Sequence, residues 1–304
     1  MRADLHQHIW TDPLVEALAR RDALPFIRET RGLTMLYCAG EQPWVIDRQA
    51  ETPDARARLL VEDQLDLALI ALSSPLGIEA LPREAAVELI DAHLAGVRLL
   101  GEGFAAWGPV ALDDPDPDDV DDLGARGCLG ISLPAGALAG PDRLYALGPV
   151  LERAAQLAAP LLVHPGPAPG ERVPEASISE PLWWRALTDY IAQMQVAWFT
   201  FAALGRREHP ELTVVFATLA GGAPLLSERL AARGGPDVDL TDPNVFYDTS
   251  SYGAGAIEAM ARRVGPDQLV YGSDRPVVEP RPTGWEALLQ SNSARLVART
   301  RAAV

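Results

Sequence analysis

Short apolar runs rich in Val, Ile, Leu and Ala recur along the chain, each followed by a longer stretch of helical periodicity. The runs fall at 3–8, 67–72, 103–107, 129–133, 161–164, 214–217, 245–248 and 269–272. They lack clean alternation, as strands covered on both faces do. Between them, 83–100 places Ala86, Leu89, Ile90, His93, Leu94 and Val97 on one helical stripe. Asp142 is placed to cap a helix running to Leu157, and Pro160 ends it before the next strand. Eight strand–helix units in 304 residues have the count and size of a (β/α)8 TIM barrel, read as a single domain over 1–304. An open doubly wound sheet is the rival, but its glycine-rich fingerprint is missing from the first strand–helix turn. Two regions break the rhythm. Segment 26–47 alternates like a hairpin and is expected to form a small β insertion after the first strand. Segment 165–181, dense in Pro and Gly, reads as a long loop after the fifth strand, on the face where barrel sites form.

Composition removes whole classes of function. The net charge of −16 argues against nucleic acid and anionic membrane surfaces as partners, since both need basic patches. No uncharged apolar run is long enough to span a bilayer, and the start, MRADLHQH, lacks the apolar stretch of a signal peptide. Cys38 and Cys128 stand far apart with no metal-ligand spacing, which fits a reducing cytoplasm. The acidic stretch 113–122 reads as a solvated loop. The chain contains no lysine, so it has no Schiff-base nucleophile, no P-loop lysine and no carbamylated lysine to bridge two metals.

Three of the five histidines end predicted strands. His6 and His8 close the first, and residues two apart on a strand point to the same side, about 6 to 7 Å apart. His164 ends the fifth, and Asp274 follows the eighth in Gly-Ser-Asp-Arg-Pro. A lone strand-end histidine reads as a hydrogen-bonded core residue. Four such groups at the C-terminal mouth of one barrel read as a His3Asp metal site with room left for water or substrate. His93, on a helix face, and His209, in a turn, take the structural reading.

At these residues the chain resembles the amidohydrolase superfamily, in the amidohydrolase-related branch that includes aminocarboxymuconate-semialdehyde decarboxylase and pyrone-dicarboxylate lactonase. The markers are DLHQH at the start, GCLGISL at the fourth strand, LLVHPG at the fifth, HPELTVVFATLAGGAP around the sixth and VYGSDRP at the eighth. The resemblance implies that His6, His8, His164 and Asp274 hold one divalent ion, zinc first, with manganese, iron or cobalt also suited. Relatives usually carry another histidine at the end of the sixth strand, where this chain has Thr218. Threonine forms hydrogen bonds but is no base near neutral pH.

The reading that follows is a metal-dependent hydrolase opening a small cyclic amide, lactone or ester, with Asp274 as proton carrier and Thr218 as hydrogen-bond donor. The alternative is a non-oxidative decarboxylase of an aromatic or unsaturated acid. A second alternative is a metal-binding relative without catalysis. Arg275 is expected to pair with a substrate carboxylate, and Trp10 and Trp107 to line the mouth. Ser250, Ser251 and Tyr252 offer hydroxyls at the rim. The stripe Trp183, Leu187, Tyr190, Ile191, Met194, Trp198 and Phe201 reads as core or subunit interface. By resemblance, the expected assembly is a homo-oligomer, a dimer first.

Overall fold

A computed structural model describes residues 1–177 and 179–303; Ile178, inside the expected 165–181 loop, and Val304 lie outside the described residues. Eight parallel strands form the main sheet: β1 (Ala3–Gln7), β5 (Leu67–Ile70), β6 (Phe104–Pro109), β7 (Gly130–Pro134), β8 (Leu161–His164), β9 (Val214–Phe216), β10 (Val245–Asp248) and β11 (Leu269–Val270). Each pairs with its neighbour in that order. The ring closes where Leu5 N donates to the Tyr271 carbonyl at 2.9 Å and Asp274 N donates to that of His6 at 2.8 Å. This is the (β/α)8 barrel. The strand sequences explain it: β5, β8 and β9 are buried along their whole length, and all their residues but His164 are apolar.

The remaining three strands, β2 (Phe26–Thr30), β3 (Leu33–Tyr37) and β4 (Trp44–Ile46), form a separate antiparallel sheet after the first barrel strand. Thr30 pairs with Leu33 across Arg31 and Gly32, both at positive φ, the two-residue turn that suits a twisted hairpin. This is the β insertion expected at 26–47.

The helix Arg83–Arg98 buries the predicted stripe, His93 included. Two expectations need correction. Asp142 caps nothing: Gly140 is the N-cap residue of the helix Pro141–Ala146, and that helix stops at Leu147. A second helix, Gly148–Gln156, begins there, because Pro149 has no N–H to continue the first. Within the acidic stretch 113–122, the second half folds into the helix Asp118–Ala125 and is not loop. Acidic side chains suit the positive end of a helix, and Asp119 and Asp121 also pair with Arg83 and Arg153.

Candidate metal centre and its cavity

β1 carries His6, with His8 just past its end, β8 ends on His164, and the turn after β11 carries Asp274. One ligand atom from each lies within 4.8 Å of the other three, and all four residues are buried. The imidazoles stand nearly perpendicular to one another, at 83 to 90°, with centroids 4.8 to 4.9 Å apart. Asp274 Oδ1 is 3.3 Å from His8 Nε2 and 3.7 Å from His6 Nε2.

Each ring is aimed by its other nitrogen. His6 Nδ1 donates to Asp248 Oδ2 at 2.6 Å, His8 Nδ1 to the Ala71 carbonyl at 2.9 Å, and His164 Nδ1 to the Pro165 carbonyl at 2.9 Å. With Nδ1 protonated, Nε2 keeps its lone pair. Yet Nε2 of His6 and of His8 lie only 3.0 Å apart. Two lone pairs so close repel unless a proton or a metal ion lies between them, and both nitrogens reach an ion with bonds of about 2.1 Å. The donor set therefore fits a single divalent ion.

The surrounding charge agrees. Burial opposes protonation of His6, but the carboxylates of Asp248, Asp274 and Asp4 outweigh it and lift its pKa to about 9. Burial, with the neighbouring His6 and His8, holds His164 well below the ordinary imidazole value. Burial pushes Asp274 up, yet the neighbouring His8 and His6 bring it below the usual carboxylate range. An acidic frame thus draws positive charge to the point where the rings meet.

Two carboxylates of the frame, Asp248 and Asp4, carry no signal of a site in the sequence. Asp248, at the end of β10, accepts from Ser250 N at 2.7 Å and Ser250 Oγ at 2.8 Å. A Cβ on Gly272 would lie 2.0 Å from Asp248 Oδ1, so only glycine fits there. Asp4 accepts from the backbone N–H of His6 and Ser273 and from Gln7 Nε2. Burial raises its pKa to about 6. Asp274 itself sits at φ +60, which turns its carboxylate away from the strand direction into the centre.

The site opens into a cavity of about 640 Å³. His8, His164, Asp274 and Thr218 meet it on the barrel side, and Leu36, Cys38, Trp44 and Val45 of the insertion region close it from above. Trp10 lies in its wall, stacked on Trp44 with centroids 6.1 Å apart and planes 26° apart. Thr218 opens a run of five residues at positive φ, 218–222, after β9. Ser251 and Tyr252 line the cavity, and Ser251 Oγ donates to Asp274 Oδ2 at 3.4 Å. Ser250 instead supports Asp248. Of the aromatic stripe, Leu187, Tyr190 and Ile191 line the cavity, Met194, Trp198 and Phe201 are core, and Trp183 is exposed.

Two expected substrate contacts are corrected. Trp107 is fully buried, its indole N–H donating to the Leu5 carbonyl at 2.7 Å, because β6 runs on to Pro109 and leaves it inside the barrel. Arg275 turns away from the cavity: its Nε lies 2.9 Å from Asp63 and its Nη1 2.7 Å from Glu279.

No protein-family model and no curated protein sequence matches this chain. Solved structures do. IDCase of Metarhizium anisopliae is 17% identical with a TM-score of 0.74, over 100% of this chain and 98% of that one. The 5-carboxyvanillate decarboxylase of Sphingomonas paucimobilis is 17% identical with a TM-score of 0.67, over 98% of each chain. The 5-carboxyvanillate decarboxylase of Novosphingobium aromaticivorans, in complex with manganese and a nitrobenzoic acid, is 15% identical with a TM-score of 0.70, over 98% of this chain and 96% of that one. The hydrolytic expectation is corrected by this set: its named reactions are decarboxylations, which side with the alternative and not with opening of an amide, lactone or ester. One of them holds manganese, and zinc has no specific support from this set. The fold implied by the resemblance to the amidohydrolase-related branch is thus the one this chain shares with these decarboxylases along its full length.

Proposed function

We propose that this protein is a metal-dependent, non-oxidative decarboxylase of an aromatic carboxylic acid, in the amidohydrolase-related branch. The observation that carries the reading is the convergence of His6, His8, His164 and Asp274 at the floor of a largely apolar cavity walled by Trp10 and Trp44. Such a cavity suits a flat ring with an acidic head. A divalent ion held by these four groups, manganese or zinc, supplies positive charge for the substrate's carboxylate or adjacent hydroxyl.

The chain's own groups do the rest. Trp10 and Trp44 orient the ring. The bond from ring to carboxylate breaks as CO2 leaves, its electron pair stays on the ring carbon, and that carbon takes a proton. Asp274, ionised at rest and facing the cavity between His8 and Ser251, is the group placed to take a proton from the substrate's hydroxyl and pass it to that carbon. Thr218 contributes a hydrogen bond and no proton transfer.

The test is CO2 release from hydroxybenzoate-type acids by the metal-loaded protein, with Asp274→Asn as control. The proposal expects release by the parent and a loss of at least about 100-fold in the variant. Saturable binding of the same acids without CO2 would instead support the non-catalytic relative. Among the described residues no helix is long and apolar enough to cross a membrane. The cytoplasmic location and the homo-oligomer stay part of the proposal, the latter supported by the exposed Trp183 and Trp184, and measurable as solution mass.

A further inference from the structure

The cavity is far larger than one ring needs. A pocket of about 150 Å³ is enough to hold benzene, whereas this one measures about 640 Å³. Its lining stays apolar from floor to mouth. Leu36 and Leu76 are buried in its wall, while Trp44, Val45, Leu182, Leu187 and Val277 line it and are also exposed. These five form its lip. Leu182 is 81% exposed and Leu187 64%, although both face the opening.

Three distant parts of the chain build that lip. Trp44 and Val45 come from β4, Leu182 and Leu187 from the segment between β8 and β9, and Val277 from the turn after β11. A single exposed leucine is ordinary. Apolar side chains converging from three segments on the mouth of one cavity are a binding surface. The polar side chains of the outer wall are engaged with one another. Tyr190 donates its hydroxyl proton to Glu41, Gln42 donates to the Glu180 carbonyl at 2.7 Å, and the Glu180 carboxylate lies 4.0 Å from Arg185. What the outer cavity offers a ligand is mainly apolar surface. A one-ring acid held at the metal centre would leave most of it facing water.

Resting on the decarboxylase reading, we propose that the substrate is a hydroxybenzoate-type acid carrying a long apolar substituent, which lies along the lip formed by Val45, Leu182, Leu187 and Val277. With the carboxylate and the adjacent hydroxyl at the centre, ring positions 4 and 5 point away from it, toward the mouth. A chain at either position fills the outer volume and covers the lip.

The experiment is calorimetric titration of the metal-loaded protein with 2-hydroxybenzoate and its 4- and 5-methyl, butyl and hexyl derivatives, with CO2 release followed in parallel. In one of the two series each added CH2 should tighten binding about two- to fourfold, so that the butyl acid binds at least about tenfold tighter than 2-hydroxybenzoate. Leu182→Asp combined with Leu187→Asp should lower that ratio at least about threefold. Because the ratio is taken within one protein, a folding defect does not mimic the change. Affinity that is flat or falling along both series, or a ratio unchanged in the double variant, overturns the proposal, and CO2 release from the unsubstituted acid then leaves the decarboxylase reading standing. A gain with chain length but no CO2 from any acid keeps the apolar subsite and removes the decarboxylase reading. If none of the acids binds or releases CO2, both fall.

Discussion

His6 Nδ1 and Asp248 Oδ2 lie 2.6 Å apart, a hydrogen bond that ties the first barrel strand to the seventh and fixes which nitrogen of His6 faces the centre. Asp248 is fully buried and does not line the cavity. Its effect on the site passes entirely through the ring it orients.

Loss of that orientation is the first prediction. Asp248→Asn should lower metal affinity about 10- to 100-fold, as removal of partners behind metal ligands does. Gly272→Ala should do the same, because the added Cβ displaces Asp248. Competition against a fluorescent chelator reads both.

Glu79 predicts a pH effect away from the centre. It is fully buried, accepts from Ser74 Oγ, and leaves Oε2 without a partner. Burial lifts its pKa to about 7. The folded state therefore holds this proton more tightly than the unfolded state. Its contribution is full below about pH 4.5 and is lost as pH rises through 7. Glu79→Gln should gain on the parent by about 2 kcal/mol between pH 5 and pH 8 in urea unfolding.

His93 predicts the opposite trend. Neither ring nitrogen has a partner, and burial, helped by His8, pushes its pKa down to about 3. The folded protein keeps it neutral while the unfolded chain protonates it, so stability falls as pH drops below 6.5. His93→Leu should be more stable than the parent by about 1 to 2 kcal/mol at neutral pH, with the gap widening toward pH 5. Denaturant midpoints measured at pH 5, 6 and 7.5 check the trend.

The barrel was legible because buried parallel strands are continuous apolar runs, and all eight were separable by length alone. The four clustered groups were legible because strand ends in a barrel converge, so linear spacing sufficed. Asp248 was hidden: in Tyr-Asp-Thr-Ser it looks like the start of any turn. Trp107 was misread because two further residues of strand place it a layer deeper. Arg275 was misread because its partner Asp63 comes from a distant part of the chain.

The correction at Trp107 carries its own prediction. Trp107→Phe removes the hydrogen bond to Leu5 and part of the core packing. It should cost about 1 to 3 kcal/mol of stability and leave the affinity for 2-hydroxybenzoate within twofold. Thermal melting and calorimetry on the same preparation separate the two effects.

Titration of chelator-treated protein with manganese, read as bound ions per chain, bears most directly on the centre. One equivalent in the parent, and none retained after dialysis in His6→Ala or His164→Ala, is the predicted result. An ion bound equally well by parent and both variants, or no ion bound at all, would contradict the account.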